Sequence, residues 1–327
     1  MLRLPRFRYL RPKTAREAAH MARELGPRAM FVAGGTDLYP KLKRRQFEIE
    51  ALIGLDFLDR RVDGGTIGAG ATLADVASHA GVPRGYGQAA GHVSSPPLRN
   101  AGTAGGNLCV DTRCNYYDMT YEWRKAIGFC LKKDGDICLV APSSPRCWAV
   151  SSSDTAPMAI ALGATVVLAS DDGEREAPVA ALYRDDGIDY LAKQPHEVVT
   201  EIRLPVAART SSAYVKLRRR GSIDFPIAGA AVAVELDGDV VDSCRIVLSA
   251  VASHPLEATA AGEFLAGKRL DHDVIQAAAD LAAKPARPLD NADLTHFWRK
   301  RMVRVVVEQA ILDAIGAGGS TVKLAGQ

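Results

Sequence analysis

Four cysteines, Cys114, Cys130, Cys138 and Cys147, fall within 34 residues of a 327-residue chain that holds only six, where an even spread would place fewer than one. Their intervals are 16, 8 and 9 residues. Clustered thiols in a reducing compartment more often bind metal or do redox chemistry than form structural disulfides. Structural zinc sites usually present paired Cys-x2–4-Cys knuckles. No such pair occurs among these four, and Cys109 with Cys114 comes nearest. Four-cysteine ligation also suits a [4Fe–4S] cluster, whose ligand spacings vary more widely. The spacing puts iron–sulfur first, zinc second and two disulfides third. The spacers between the cysteines are polar and turn-rich, as in Lys132-Lys-Asp-Gly-Asp136 and Pro142-Ser-Ser-Pro145. A segment with so little apolar periodicity needs something else to fix its shape, and four thiolates on one ion or cluster supply it.

Two glycine turns carry a second chemistry. In Phe31-Val-Ala-Gly-Gly-Thr-Asp-Leu38 an apolar strand runs into Gly34-Gly35, and Thr36-Asp37 begins a helix. Such a turn brings several backbone N–H groups to one point at a positive helix end, where an anion fits, and Thr36 adds a hydroxyl. Alone, a Gly-Gly turn before a helix is also plain punctuation. The second turn, Leu98-Arg-Asn-Ala-Gly-Thr-Ala-Gly-Gly-Asn-Leu-Cys109, packs three glycines with Asn100, Thr103 and Asn107 and shows no apolar period. It reads as a loop that needs close backbone approach. Together the two suggest a cradle for a pyrophosphate-bearing cofactor. Neither ends in Gly-Lys-Ser/Thr, and neither reads GxGxxG with a following acid, which weighs against an ATPase and a Rossmann domain.

The elements that must position these residues form three blocks. Residues 1–57 read as strand, helix (Ala15–Leu25, capped by Thr14), buried strand 29–33, helix Leu38–Lys43 and strand 52–55. Residues 58–209 mix short strands and helices: strand 66–71, helix 73–79, helix 156–162 running into strand 164–169, and a half-buried strand 198–204. Residues 213–327 give strands 213–218, 227–236 and 242–250, then alanine-rich helices 274–283 and 293–315, with a glycine-rich end that frays.

Composition narrows the class. Hydrophobic residues are 47% and charged residues 24%, an ordinary globular balance, and a net charge of +3 gives no reason to propose a nucleic-acid binder. No apolar run reaches the length of a membrane span, and the arginine-rich N-terminus has no signal-peptide core, so a cytoplasmic chain is expected. The seven histidines include no His-x3-His pair, and His92 and His254 read as structural.

Ala33-Gly-Gly-Thr-Asp-Leu38, Ile67-Gly-Ala-Gly-Ala71 and Arg99-Asn-Ala-Gly-Thr-Ala-Gly-Gly-Asn107, followed by Ser153-Asp154 and Lys216-Leu-Arg-Arg-Arg220, resemble in order and spacing the FAD-binding medium subunits of the molybdenum hydroxylase family. That family includes xanthine dehydrogenase and carbon monoxide dehydrogenase, and the resemblance covers essentially the whole chain. It implies an α+β fold, in which a two-part PCMH-type FAD-binding domain precedes a C-terminal domain of a three-stranded antiparallel sheet with a helical bundle. It implies that Ala33, Gly34, Gly35, Thr36, Asp37 and Leu38, with Asn100, Thr103, Gly105, Gly106 and Asn107, hold the FAD pyrophosphate. Asp154 would contact the isoalloxazine, Lys216 would lie near it, and the strand at 198–202 would pass its edge. On residues alone Asp154 is a helix N-cap, and Lys216 with Arg218, Arg219 and Arg220 is a solvated strand edge or a subunit contact.

The cysteine segment, about 112–150, has no counterpart in ordinary medium subunits. With Asp111-Thr-Arg-Cys-Asn-Tyr-Tyr117 and Tyr121-Glu-Trp-Arg-Lys-Ala126 it resembles the β subunits of the 4-hydroxybenzoyl-CoA reductases, which carry a [4Fe–4S] cluster on an inserted loop. The resemblance implies Cys114, Cys130, Cys138 and Cys147 as ligands. Cys109 reads as a thiol beside the flavin and Cys244 as core. It further implies an oxidoreductase subunit of a dimerised three-subunit complex, with a molybdopterin-binding large subunit that holds the substrate and a [2Fe–2S] small subunit. Reduced ferredoxin would supply electrons for dehydroxylation of 4-hydroxybenzoyl-CoA to benzoyl-CoA, and this chain would contribute no substrate acid or base. Arg113, Arg124, Lys125, Lys132 and Lys133 are the expected surface cations for an acidic ferredoxin, with solvated loop charge as the plainer reading.

Overall fold

The computed structural model describes residues 2–205 and 209–316; most of the glycine-rich end expected to fray lies outside them. Strand β1 (Arg8–Leu10) leads to helix α1 (Ala15–Leu25). The Thr14 side chain accepts from the Glu17 N–H at 3.1 Å and starts the helix, and Gly26, with φ 66°, ends it. Strand β2 (Ala29–Val32) runs into the Gly34-Gly35 turn, helix α2 (Leu38–Lys43) follows, and β3 (Ala51–Gly54) returns. The three strands form a parallel sheet in the order β1-β3-β2, with Phe31 opposite Ile53.

The middle of the chain holds β4 (Thr66–Gly68), α3 (Leu73–Ser78), α4 (Arg84–His92), α5 (Pro96–Arg99), α6 (Ala104–Leu108), α7 (Tyr121–Ala126), α8 (Thr155–Ala161), β5 (Thr165–Ala169), β6 (Glu174–Pro178) and β7 (Val198–Arg203). Its antiparallel sheet has the order β4-β7-β5-β6. The alternation read in 198–204 is visible in β7: Ile202 is buried between Ile67 and Val166 while Arg203 faces outward. The stretch 98–109, expected as a loop, instead contains the end of α5 and all of α6. Its glycines hide the helix from propensity, but Thr103 caps α6 by accepting from the Gly106 N–H.

The C-terminal sheet is antiparallel, built from β8 (Thr210–Leu217), β9 (Ala228–Asp237) and β10 (Val240–Ser249). The three expected strands are its body, and a two-residue strand β11 (Leu256–Glu257) joins the edge. Helices α9 (Thr259–Leu265), α10 (His272–Ala283) and α11 (His296–Ala314) cover one face. Period-two alternation divides β9. Ala228, Ala230, Val232 and Val234 pack under the C-terminal helices, whereas Ala231 and Ala233 join the core of the middle sheet. The same alternation sends Tyr214 into that shared core, and Lys216 two residues on lies on the same strand face. Among the described residues no helix is long and apolar enough to cross a membrane.

Candidate functional site

A cleft of about 550 Å3 is lined by Ala33 to Leu38 after β2 and by Thr103, Gly105, Gly106 and Asn107 of α6. That volume lies within the range of small-molecule and cofactor sites. The two turns meet backbone to backbone. A Cβ on Gly34 would strike the Ala101 carbonyl, and one on Gly105 would stand 2.7 Å from the Ala69 Cβ, so side chains there would force the walls apart. Among the described residues the N–H groups of Gly34, Gly35 and Thr36 meet no protein acceptor, which leaves three donors for an anion. Asn107 spends its side-chain oxygen on the start of α8, accepting from the Ser153 hydroxyl at 2.9 Å and the Thr155 hydroxyl at 2.7 Å. These features fit a pyrophosphate-bearing cofactor. Asn100 is exposed and stands outside the lining, and the Asp37 carboxylate is occupied by an ion pair with Arg113.

Asp154 also lines the cleft. It occupies the N-cap position of α8 but makes no capping bond. Its carboxylate instead accepts from the Tyr214 hydroxyl at 2.8 Å and from Lys216 Nζ at 2.8 Å. Burial pushes the Asp154 carboxyl up, against the pull of Lys216 and Tyr214. The Lys216 side chain is 0% exposed and also donates to the His92 carbonyl at 2.9 Å, so it is neither a solvated edge nor a lining group. It stands behind Asp154 and holds the carboxylate in orientation. Arg219 and Arg220 are exposed, paired with Asp293 and Asp224. Cys109 lines the cleft, and Cys244 packs against the C-terminal core.

The cysteine segment folds as a set of turns. The Cys114 carbonyl accepts from Tyr117 N–H and Asp118 N–H, that of Cys130 from Lys133 N–H and Gly135 N–H, and that of Cys138 from Ala141 N–H. All four thiols are buried and none is in a disulfide. Cys114, Cys130 and Cys147 share one apolar nest with Tyr117 and Ala149. Burial pushes the Cys114 thiol up to about 12 and Cys147 up to about 11, and the other thiols, Cys138 among them, add to both shifts. Among the described residues no group of three or more His, Cys, Asp or Glu is gathered to hold a metal ion, so the four expected cluster ligands do not form a metal site here.

Asp111 joins the nest to the cleft. It lines the cleft and accepts from Lys41 Nζ of α2 at 2.5 Å and from Lys132 Nζ of the insertion at 2.8 Å. Burial opposes its ionisation, but the two ammonium groups hold the carboxyl well below its usual range. Lys132 lies 4.8 Å from the Tyr117 ring centre and 5.6 Å from that of Tyr190, a cleft residue. The expected patch of surface cations is therefore corrected. Lys132 and Arg124 are buried, the latter bonded to the carbonyls of Arg44 and Arg45, and Arg113 and Lys133 are engaged with Asp37, Asp118, Glu48 and Asp134. Of the five, Lys125 is exposed. Sequence reasoning passed over Asp111, Lys41, Tyr190 and Phe225 as site residues. Only Lys41, four residues after Asp37 on one helix, left a signal.

Residues 5–207 match the family described as the FAD binding domain in molybdopterin dehydrogenase, and 212–314 match the CO dehydrogenase flavoprotein C-terminal domain. The chain is 28% identical to the carbon monoxide dehydrogenase medium chain of Hydrogenophaga pseudoflava over 94% of this chain and 96% of that one. It is 31% identical to the aldehyde oxidoreductase FAD-binding subunit of Escherichia coli, over 85% and 92%. The nicotinate dehydrogenase FAD-subunit of Eubacterium barkeri is 26% identical over 94% and 96%. Among solved structures, carbon monoxide dehydrogenase from Hydrogenophaga pseudoflava superimposes with a TM-score of 0.78 at 28% identity, over 97% of this chain and 99% of that one.

Proposed function

The chain belongs to the FAD-binding medium subunits of the molybdenum hydroxylase family, and from that membership we propose that it is the electron-transfer subunit of a 4-hydroxybenzoyl-CoA reductase. In this reading the cleft holds FAD, and Cys114, Cys130, Cys138 and Cys147 hold a [4Fe–4S] cluster. The proposed partners are a molybdopterin-binding large subunit, a [2Fe–2S] small subunit and a ferredoxin donor. The proposed units are 1–57, 58–209 with the insertion, and 213–327.

One observation carries the reading: four buried thiols, none in a disulfide, lie in an insertion whose Lys132 reaches the wall of the FAD cleft. FAD exchanges electrons in pairs or singly, and an iron–sulfur cluster supplies them one at a time. The chain's own residues bind and orient. Gly34, Gly35 and Thr36 offer donors for the pyrophosphate, and Asp154, held by Lys216 and Tyr214, sets a fixed acceptor in the cleft wall. The Tyr117 ring and the Lys132 side chain fill the space between nest and cleft. A non-redox, zinc-stiffened binding protein does not agree with the family. The second reading is the FAD subunit of another molybdenum hydroxylase, favoured by relatives named for carbon monoxide, aldehyde and nicotinate. Identifying the co-purifying chains and assaying the complex for benzoyl-CoA formation with a reduced low-potential donor separates the two. Activity on an aldehyde or N-heterocycle, with none on 4-hydroxybenzoyl-CoA, would favour the second.

A further inference from the structure

Residues 218–226, in the connection between β8 and β9, do not turn directly from one strand to the next. They cross back over the cleft mouth, where Ile223, Asp224 and Phe225 join the lining. The Ser222 hydroxyl donates to the Ser94 carbonyl at 3.3 Å and Arg218 to the His92 carbonyl at 3.5 Å, and two further attachments bear on the cleft itself. The first is the Ile223 N–H, which donates to the Ser94 carbonyl at 2.9 Å. Both partners are strained: Ile223 has φ 68° and Ser94 has φ 45°, in the left-handed region that a β-branched residue rarely enters. A strap strained at this contact gains from a further fastening beside it.

That fastening is Arg113. Its guanidinium carbon lies 3.5 Å from the centre of the Phe225 ring, a stacked cation–π contact. The guanidinium is fixed in turn. It is ion-paired with Asp37 of the first glycine turn and lies 3.3 Å from Asp118. Its backbone is paired in both directions with Val150, at 2.8 and 2.7 Å. Arg113 thus ties one residue from each of three places: the glycine turn, the insertion and the C-terminal strap. Phe225 itself is 45% exposed, so little but this stack holds its ring in place.

We propose that Arg113 is a positioning residue that latches the 218–226 strap over the cleft by stacking on Phe225, and so keeps solvent from the bound cofactor and slows its release. The proposal rests on the reading of the cleft as the FAD site. It assigns a role in FAD retention to a residue of the insertion.

The test uses the full chain with its co-purifying subunits and FAD bound. Two readouts are taken: collisional quenching of flavin fluorescence by iodide, and the rate at which FAD is lost on dilution. Arg113→Ala and Phe225→Ala are expected to raise iodide quenching and to speed FAD release by roughly two- to fivefold, the scale of losing one cation–π contact at a partly exposed site. Phe225→Leu, which keeps apolar bulk without a ring, should match Phe225→Ala, and Phe225→Tyr should restore wild-type values. Phe225 is a surface residue on a strand connection, so its variants test the latch even if Arg113→Ala fails to fold. Wild-type values in Phe225→Ala and Phe225→Leu would overturn the latch alone. A wild-type chain that takes up no FAD would overturn the reading of the cleft and the latch with it.

Discussion

Asp111 accepts Lys132 Nζ at 2.8 Å, and this buried pair binds the cysteine insertion to the wall of the cleft. The same carboxylate holds Lys41 at 2.5 Å, so one negative charge serves two buried ammonium groups. Asp111→Asn leaves Lys132 without its carboxylate and Lys41 with only Asp37, 3.8 Å away, and is expected to cost about 3 kcal/mol. Lys132→Met leaves Asp111 paired with Lys41 and is expected to cost about 1–3 kcal/mol. Urea denaturation gives both values. Equal losses, each under about 1 kcal/mol, would mean that the triad contributes little beyond packing.

Gly187 sits against the nest from the far side. A Cβ there would lie 2.6 Å from Cys147 Sγ and 2.7 Å from the Ala149 nitrogen. Its carbonyl also receives Lys132 and Thr112. Gly187→Ala should therefore displace Cys147, lowering iron and sulfide content while FAD stays bound. Unchanged iron content in the variant would show that Cys147 is not held where its thiol must be.

Asp154 presents its carboxylate to the cleft, and Lys216 acts through it. Asp154→Asn should weaken FAD binding roughly tenfold, the worth of one charge-assisted hydrogen bond. Lys216→Met should weaken it less. FAD titration of the apoprotein checks the order. A larger effect at Lys216 would place the lysine, not the aspartate, on the cofactor.

His92 is half-buried near Arg218, Lys216 and Arg99, and desolvation followed by those charges holds its imidazole down to about 4. Its Nδ1 has no partner among the described residues. The folded value lies below the ordinary one near 6.5, so the neutral ring's contribution is complete above about pH 6.5. It is lost as pH falls towards 4, by up to about 3 kcal/mol. His92→Gln should flatten the loss of stability between pH 6.5 and 4. Parallel wild-type and variant profiles across that interval would show that another group governs it.

Much of this was legible before the fold. Thr14 and Gly26 bracket α1, apolar runs mark β2, β5 and β9, and the two glycine turns do face one cleft. The rest was hidden for physical reasons. The charged strand β6 pairs only at a sheet edge, so Glu174 and Arg175 face solvent and its sequence reads as a loop. Helix α7 depends on the Thr120 cap and on Arg124, whose acceptors at Arg44 and Arg45 lie about 80 residues away in sequence. Lys132 looked like a solvated charge because its partner, Asp111, is 21 residues distant and carries no motif. Charge is visible in a sequence, but its burial is decided by partners that only the fold brings together. Phe225 reaches the cleft from a different sheet, which no local pattern announces.

The central claim is that one chain holds both FAD and a four-cysteine iron–sulfur cluster. Iron, acid-labile sulfide, zinc and FAD counted on one anaerobic preparation of this chain, beside its Cys130→Ser variant, test it most directly. The account predicts about four irons and four sulfides per FAD in the wild type, and a variant that loses iron and sulfide but keeps FAD. Zinc without sulfide, or FAD lost from the variant while iron remains, would contradict it.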